Sequence, residues 1–138
     1  MNPRLFKIMI GSLVVILIVG IGALIYILNS SDETDGELSI EEMVEYSFTT
    51  EEMNTDLKNG GFVQIQFNII TDSKKARAEV QNRSFQLKNI FIKESVDLTK
   101  TDFQQGLSDL ETNLKNQMNE LMNEGKIIDV YIISKILQ

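Results

Sequence analysis

The chain has 138 residues and a net charge of −7, and it contains no cysteine and no histidine. Without cysteine there are no disulfides, thiolate metal sites or cysteine nucleophiles, and without histidine the commonest general base and metal ligand is missing. No basic face stands out in the sequence, so nucleic-acid binding is disfavoured.

The first element is an uncharged, apolar segment at residues 8–28. A helix of this length spans about 31 Å, close to the thickness of the hydrocarbon core of a bilayer. We therefore predict a transmembrane helix at residues 8–28, preceded by a cytoplasmic tail at residues 1–7. The apolar side chains expected to anchor it in lipid are Ile8, Leu13, Ile18, Leu24 and Leu28.

The charges on either side of this segment predict its orientation. Arg4 and Lys7 precede it, and no basic residue follows it until Lys58. The positive-inside rule then puts the N-terminus in the cytoplasm and the following domain outside the cell (inner) membrane. A cleaved signal peptide is the rival interpretation, but its apolar core is typically about 7–15 residues long, and no Ala-x-Ala-like site follows this segment.

The predicted span contains three glycines, Gly11, Gly20 and Gly22. Small residues on a helix surface allow a second helix to pack closely. These glycines are therefore candidates for a helix-packing surface. Ordinary glycines that face lipid are an equally good interpretation, because no Gly-xxx-Gly pair occurs among them.

The chain after the span is strongly acidic, with ten acidic and no basic side chains in residues 32–56. Turn-forming residues dominate its start, so we predict an extended acidic linker at residues 29–38 that keeps the following domain near the membrane. A run of like charges is usually a solvated spacer, and contact with a partner is the alternative. The acidic residues available for such a contact are Asp32, Glu33, Asp35, Glu41 and Glu42.

Residues 39–138 form the predicted extracytoplasmic domain, which begins with a short helix. Ser39 followed by Glu42 is the capping-box pattern of a helix N-terminus. A hairpin comes next, because the Asn-Gly-Gly sequence at residues 59–61 provides a turn before residues 62–71, in which apolar and polar side chains alternate. One face of this strand belongs in a core, and its Gln and Asn face meets solvent or a neighbouring subunit.

Helices are predicted after the hairpin. Residues 72–73 can cap the first helix, which breaks near residues 82–85. The apolar spacing at residues 85–92 favours helix over strand. Residues 108–123 read as an amphipathic helix, and Gly125 is placed to terminate it.

The last predicted element is a strand at residues 127–137, which is rich in β-branched residues and apolar on both faces at its start. Such a strand suits the buried centre of a sheet, and we expect it to pair with the strand at residues 62–71. The order of elements predicts an α+β fold in which an antiparallel sheet has helices on one face.

Two stretches of the domain, residues 71–95 and 109–138, resemble the FliL family of flagellar basal body-associated proteins, and the layout of the whole chain is similar to that of the family. Phe85 stands where many members have proline. The positions that match the family's mid-domain helix and its terminal helix–strand unit are Arg83, Gln86, Ile90, Leu110, Leu114, Gly125, Val130, Tyr131 and Gln138.

The resemblance implies a non-enzymatic accessory protein of the flagellar motor. FliL-like proteins lie in the membrane beside the motor, and their outer domain is similar to the stomatin/prohibitin-type (SPFH) domain, which assembles into homo-oligomeric rings. Such a ring would surround the ion-conducting stator and support flagellar rotation, swarming and chemotactic motility. The expected partners are therefore the bilayer, stator and basal-body proteins, and further copies of the chain.

The residues themselves indicate no enzyme. There is no Gly-rich phosphate loop, and the adjacent acids Glu41/Glu42 and Glu51/Glu52 point to different sides of a helix or strand rather than towards one substrate. We accordingly expect no cofactor, no metal and no small-molecule substrate. The alternative function is a membrane-anchored extracytoplasmic ligand-binding or sensor module, which a concave pocket with convergent polar groups would favour.

Overall fold

The computed structural model describes residues 2–30 and 37–138, and for residues 28–30 it describes the backbone alone. The chain divides into two compact units, Met1–Glu37 and Leu38–Gln138. The first unit contains one long helix, α1, at Pro3–Ser30. Its segment Pro3–Ile27 is long and apolar enough, by length and composition, to cross a membrane.

The helix α1 starts five residues before the predicted span, at a proline. Proline suits the first position of a helix because its backbone nitrogen has no hydrogen to leave unpaired and its φ is already helical. Arg4 and Lys7 are therefore part of the helix, in its first and second turns.

The second unit is an α+β domain with an antiparallel sheet, as predicted. A single 3-10 turn at Lys58–Gly60 joins its second and third strands. The elements in chain order are α2 (Ile40–Glu45), β1 (Ser47–Thr49), β2 (Met53–Asp56), β3 (Phe62–Thr71), α3 (Lys74–Asn82), α4 (Ser84–Ser95), α5 (Lys100–Gln105), α6 (Leu107–Leu121) and β4 (Ile127–Leu137).

The long strand β3 is the centre of the sheet. Along one side it pairs first with β2 and then with β1, and along the other side it pairs with β4 over nearly its whole length. The predicted pairing of the last strand with β3 is confirmed, from Val63 opposite Leu137 to Thr71 opposite Ile127. One strand thus connects the three others.

The alternating side chains of β3 form the base of the core. Val63, Ile65, Phe67 and Ile69 are buried, while the polar residues between them are half-buried on the opposite face. Phe67 packs edge-on against Phe91 of α4, with ring centroids 5.8 Å apart. The helices contribute the remaining large core side chains, among them Leu87, Phe103, Leu114 and Met118.

The hairpin between β2 and β3 is confirmed. Its turn needs two residues with positive φ, and it has them in Asn59 (66°) and Gly60 (84°). Asparagine and glycine are the residues that adopt this left-handed conformation at least cost. The local sequence therefore dictates the turn, and the turn fixes the register of the two strands.

The prediction of a buried, central last strand is wrong. Among the described residues, β4 pairs only with β3, and Tyr131, Ile133 and Ile136 are about half exposed. Its first half is buried because α6 packs against it at Ile127 and Val130. In its second half Leu137 packs partly against the core, whereas the exposed side chains of Ile133 and Ile136 have no partner that explains their apolar character.

The predicted role of Gly125 is also wrong in detail. The helix α6 ends at Leu121, and its C-cap is Met122 in an extended conformation. Gly125 lies three residues later in the turn before β4, with φ at 96°. A Cβ at this position would collide with Asp72 Oδ1, so the glycine permits the close approach of two loops.

Two short elements, β1 and α5, were not predicted from the sequence. The helix α5 starts with a capping box in which Thr99 Oγ1 accepts from the Asp102 N–H (3.2 Å) and Asp102 Oδ2 accepts from the Thr99 N–H (3.1 Å). The break predicted near residues 82–85 is confirmed at Arg83, which is both the C-cap of α3 and the N-cap of α4.

Candidate functional site

The described residues offer surfaces for contact with other molecules. Across residues 2–30 and 37–138, no group of three or more acidic side chains is arranged to hold a metal ion. The features to consider are the apolar helix α1, the acidic helix α2, a groove beside β1 and β2, and the exposed strand β4.

The predicted anchor side chains lie on the surface of α1. Ile8, Leu13, Ile18 and Leu24 are each at least 60% exposed, which is what a helix surrounded by lipid requires. The side chain of Leu28 lies outside the described residues.

The glycines of α1 do not form one surface. At 100° per residue, Gly11 and Gly22 lie within about 20° of each other around the helix, while Gly20 is on the opposite side. A Cβ at any of the three would meet nothing within 4 Å. Gly11 and Gly22 together are therefore the better candidates for packing against a second helix.

The helix α2 carries two of the five acidic residues considered for partner contact. Glu42 acts in the predicted capping box: its Oε2 accepts from the Ser39 N–H (2.9 Å) while Ser39 Oγ accepts from the Glu42 N–H (3.2 Å). Glu41 is exposed beside it. Asp32, Glu33 and Asp35 lie outside the described residues.

Hydrogen bonds and an ion pair attach the C-terminal end of α2 to the rest of the domain. Thr71 donates from its hydroxyl (2.7 Å) and its N–H (3.2 Å) to the Tyr46 carbonyl, and Arg77 donates to the Glu45 carbonyl (2.7 Å). The Glu45 carboxylate pairs with Lys74 Nζ at 2.7 Å, and this hydrogen bond raises the pKa of Lys74. The acidic side chains of α2 therefore have a fixed position relative to the sheet.

Glu79 of α3 connects the helices to the turn before β4. Its carboxylate accepts from Arg83 Nε (2.8 Å) and from the backbone N–H groups of Asn123 (3.0 Å) and Glu124 (2.6 Å). Burial is the largest single influence and raises the pKa of Glu79, but the hydrogen bonds from Arg83, Glu124 and Asn123 together outweigh it and hold that pKa below its ordinary value. The four-residue spacing of Glu79 and Arg83 in the sequence is typical of an ion pair on a helix. The contacts of Glu79 with the turn before β4 have no such local signal in the sequence.

A groove of about 450 Å³ runs along the outer side of β1 and β2. Its walls combine apolar and charged groups, with Phe85 of α4 on one side and 70% exposed. The residues that line it are Phe48, Thr49, Thr50, Glu51, Glu52, Met53, Gln81, Ser84, Phe85 and Lys88. This groove could not be predicted from local sequence patterns, because its two walls lie about thirty residues apart in the chain.

Side chains of α6 cover the first half of the free edge of β4. The Asn119 side chain accepts from the Ile127 N–H (2.7 Å) and donates to the Ile127 carbonyl (3.0 Å). Glu111 Oε1 accepts from the Ile132 N–H (2.8 Å). Covered edges do not pair with other chains, so an additional strand could reach β4 only beyond Ile132.

Comparison with known proteins places this architecture in a family. No family model matches the chain. The "Flagellar protein FliL" of Bacillus subtilis (strain 168) is 35% identical to it over 111 residues, covering 78% of this chain and 79% of the relative. The chain belongs to the FliL family.

The FliL-like positions named from the sequence have structural roles. Ile90, Leu110, Leu114 and Val130 are buried in the core. Arg83 joins two helices, since it bonds Glu79 on one side and Gln86 Oε1 (2.9 Å) on the other. In this FliL family member most of the recognisable positions therefore support the fold, while Tyr131 lies about half exposed on β4.

Proposed function

We propose that this FliL family member is a non-enzymatic accessory protein of the flagellar basal body. It associates with the stator and supports flagellar rotation, swarming and chemotactic motility. The observation that carries the proposal is the similarity to the flagellar relative along most of both chains. A non-enzymatic accessory protein acts by binding other proteins, and the described residues include several candidate contact surfaces.

We infer that α1 anchors the protein in the cell membrane with its N-terminus in the cytoplasm and residues 39–138 outside. Arg4 and Lys7 support this orientation, because basic residues stay on the cytoplasmic side and none occurs again before Lys58. The proposed domain limits are residues 1–7, 8–28, 29–38 and 39–138. The acidic linker then keeps the folded unit close to the membrane surface.

The proposed contact with the stator uses the membrane-proximal acidic residues. Glu41 is exposed and makes no described hydrogen bond, whereas Glu42 is engaged in the helix cap. Glu41 is accordingly the better contact residue on α2, and Asp32, Glu33 and Asp35 of the linker are proposed as further contact residues. In the membrane, the surface carrying Gly11 and Gly22 is proposed to meet a neighbouring helix.

We further propose that copies of the domain assemble into a ring, as its resemblance to the stomatin/prohibitin-type domain implies. The alternative, an extracytoplasmic ligand-binding or sensor module, draws on the groove beside β1 and β2, which is concave and bears polar groups. The motor role is preferred because the similarity to the flagellar relative covers 78% of the chain.

Deletion of the gene tests the proposed role. We expect the deletion strain to assemble filaments but to swarm poorly, with recovery when the intact gene is returned. Normal motility of the deletion strain on both soft and viscous media would overturn the proposal.

Cross-linking in intact cells tests the contact itself, and the absence of native cysteine makes it clean. We expect Glu41→Cys, carrying a photoactivatable thiol reagent, to form an adduct with a stator protein. Lys93→Cys is the matched control, because Lys93 is equally exposed but lies on α4 away from the acidic helix. Adducts of Glu41→Cys with lipid or unrelated proteins alone would count against the contact.

A further inference from the structure

The second half of β4 has an open hydrogen-bonding edge. Phe62 and Gln138 exchange two backbone hydrogen bonds, of 2.9 and 2.8 Å. Because such pairs alternate along an antiparallel ladder, the N–H and C=O groups of Lys135 and Leu137 point away from β3. No hydrogen bond to these groups occurs within the described residues.

This open edge is apolar as well as unpaired. Ile133 and Ile136 are 51% and 47% exposed, in a stretch that α6 does not cover. Long, uncovered, apolar edge strands are sites of pairing with other chains, and folded proteins usually protect them. Here the protection by Asn119 and Glu111 stops at Ile132.

The opposite edge of the same sheet is open too. Phe67 directs its backbone towards Thr50, accepting from the Thr50 N–H (2.9 Å) and donating to Thr50 Oγ1 (3.0 Å). Backbone groups alternate in the same way along β1 and β2. The N–H and C=O groups of Thr49 and Asn54 therefore point away from β3. Both residues are exposed, and no backbone hydrogen bond to either outward group is found in the described part of the domain.

The two edges have complementary side chains. The β4 edge offers Ile133, Ile136 and the cation Lys135, and the β1–β2 edge offers a groove with apolar side chains in its walls and the exposed acids Glu51 and Glu52. We propose that residues 133–137 of one copy add as a strand to the β1–β2 edge of a second copy. This deepens the proposed function and rests on it, because it names the surface by which copies of the chain meet.

Charge disfavours the simpler symmetric contact. If the open halves of two β4 strands paired antiparallel with each other, the pairing would centre on Lys135 and bring two like charges together. Pairing with the opposite edge instead brings Lys135 to Glu51 and Glu52. A contact between two different edges leaves each copy with one free edge, so it repeats, and it closes into a ring when the rotation between copies permits.

The test cross-links the two edges in the full chain, in membranes. Ser134 lies opposite Gln66 and Thr49 opposite Asn68, so both are on the face of the sheet that points away from the core, and both are exposed. We expect the double variant Ser134→Cys/Thr49→Cys, treated with a short bis-maleimide, to give a ladder of dimers, trimers and larger products. The control pair Ser134→Cys/Lys93→Cys is expected to remain monomeric.

Charge variants sharpen the test. We expect Lys135→Glu, added to the double variant, to reduce the multimer fraction about fivefold, and Glu51→Lys/Glu52→Lys to restore it. A dimer from Ser134→Cys alone would overturn the proposal in favour of a symmetric contact. A ladder that Lys135→Glu leaves unchanged would also overturn it.

These results are separable from those on motility. No ladder in a strain whose Glu41→Cys variant still reaches the stator would mean that this interface is wrong while the motor role stands. A ladder that forms although the deletion strain swarms normally would mean that this interface is right and the motor role is wrong. In both cases an immunoblot of the uncross-linked variants confirms that the chain is present in the membrane.

Discussion

At the scale of single residues, the carboxylate of Glu79 accepts hydrogen bonds from three residues outside the core. Its carboxylate ties α3 to Arg83 and to the turn that leads into β4. Three donors converge on one carboxylate, so the charged form is the one the fold stabilises. The consequence is a dependence of stability on pH.

We expect acid to weaken the fold through Glu79. Its pKa is lower in the folded chain than the ordinary value of about 4.3, so the unfolded state binds the proton more readily. The stabilisation is therefore complete above about pH 4.3 and is lost as the pH falls below that towards the folded-state pKa. Glu79→Gln should lower stability at neutral pH and flatten this acid dependence.

The measurement is urea unfolding of the full chain in detergent micelles, followed by circular dichroism between about pH 7 and 3. Glu120→Gln is the matched control, because Glu120 is exposed on α6 and makes no described contact. Identical curves for Glu79→Gln and the unsubstituted chain would contradict the assignment.

At the scale of elements, the contact between α6 and β4 decides how much of the sheet edge is free. Asn119 substitutes for a strand by satisfying both the N–H and the C=O of Ile127. A helix that caps an edge in this way adds stability and also prevents pairing at that position. The same helix leaves the residues beyond Ile132 open.

We expect Asn119→Ala to lower the free energy of unfolding by about 1–3 kcal/mol, since it leaves two half-buried backbone groups without partners. Asn113→Ala, on the same helix, is the control. Asn113 is exposed and its amide bonds only Glu94 (3.2 Å), so its loss should cost less than about 0.5 kcal/mol. Equal losses in urea unfolding would show that the cap on Ile127 is unimportant.

The sequence predicted those elements whose signals are local. The alternation in β3, the Asn59–Gly60 turn and the capping box at Ser39 each depend on a few neighbouring residues, and each is present. The position of β4 at an edge was missed, because strand order depends on contacts between distant parts of the chain. The groove and the contacts of Glu79 with the turn were missed for the same reason.

At the scale of the whole molecule, one core supports every candidate surface of residues 38–138. Phe67 lies at its centre, is fully buried, and packs on Phe91. Phe85, two turns earlier on α4 than Phe91, is 70% exposed. The same residue type therefore serves stability at one position and is available for contact at the other.

We expect Phe67→Ala to lower the free energy of unfolding by about 3–5 kcal/mol, because it removes a buried ring and leaves a cavity. Phe85→Ala should change it by less than about 0.5 kcal/mol. Urea unfolding of the two variants in detergent micelles compares them directly. A large loss for Phe85→Ala would mean that its ring belongs to the core and not to a docking groove.

The pairing of β3 with β4 also sets the order in which the domain acquires its structure. The ladder joins residues far apart in the chain, and the loop between them contains four helices. Contacts with such long sequence separation form late, because the entropy of closing a long loop opposes them. The hairpin and the helices can form early, but the core stays open until β4 has been synthesised. A chain that completes its core so late remains extended for longer, which is the form in which a polypeptide is threaded across a membrane.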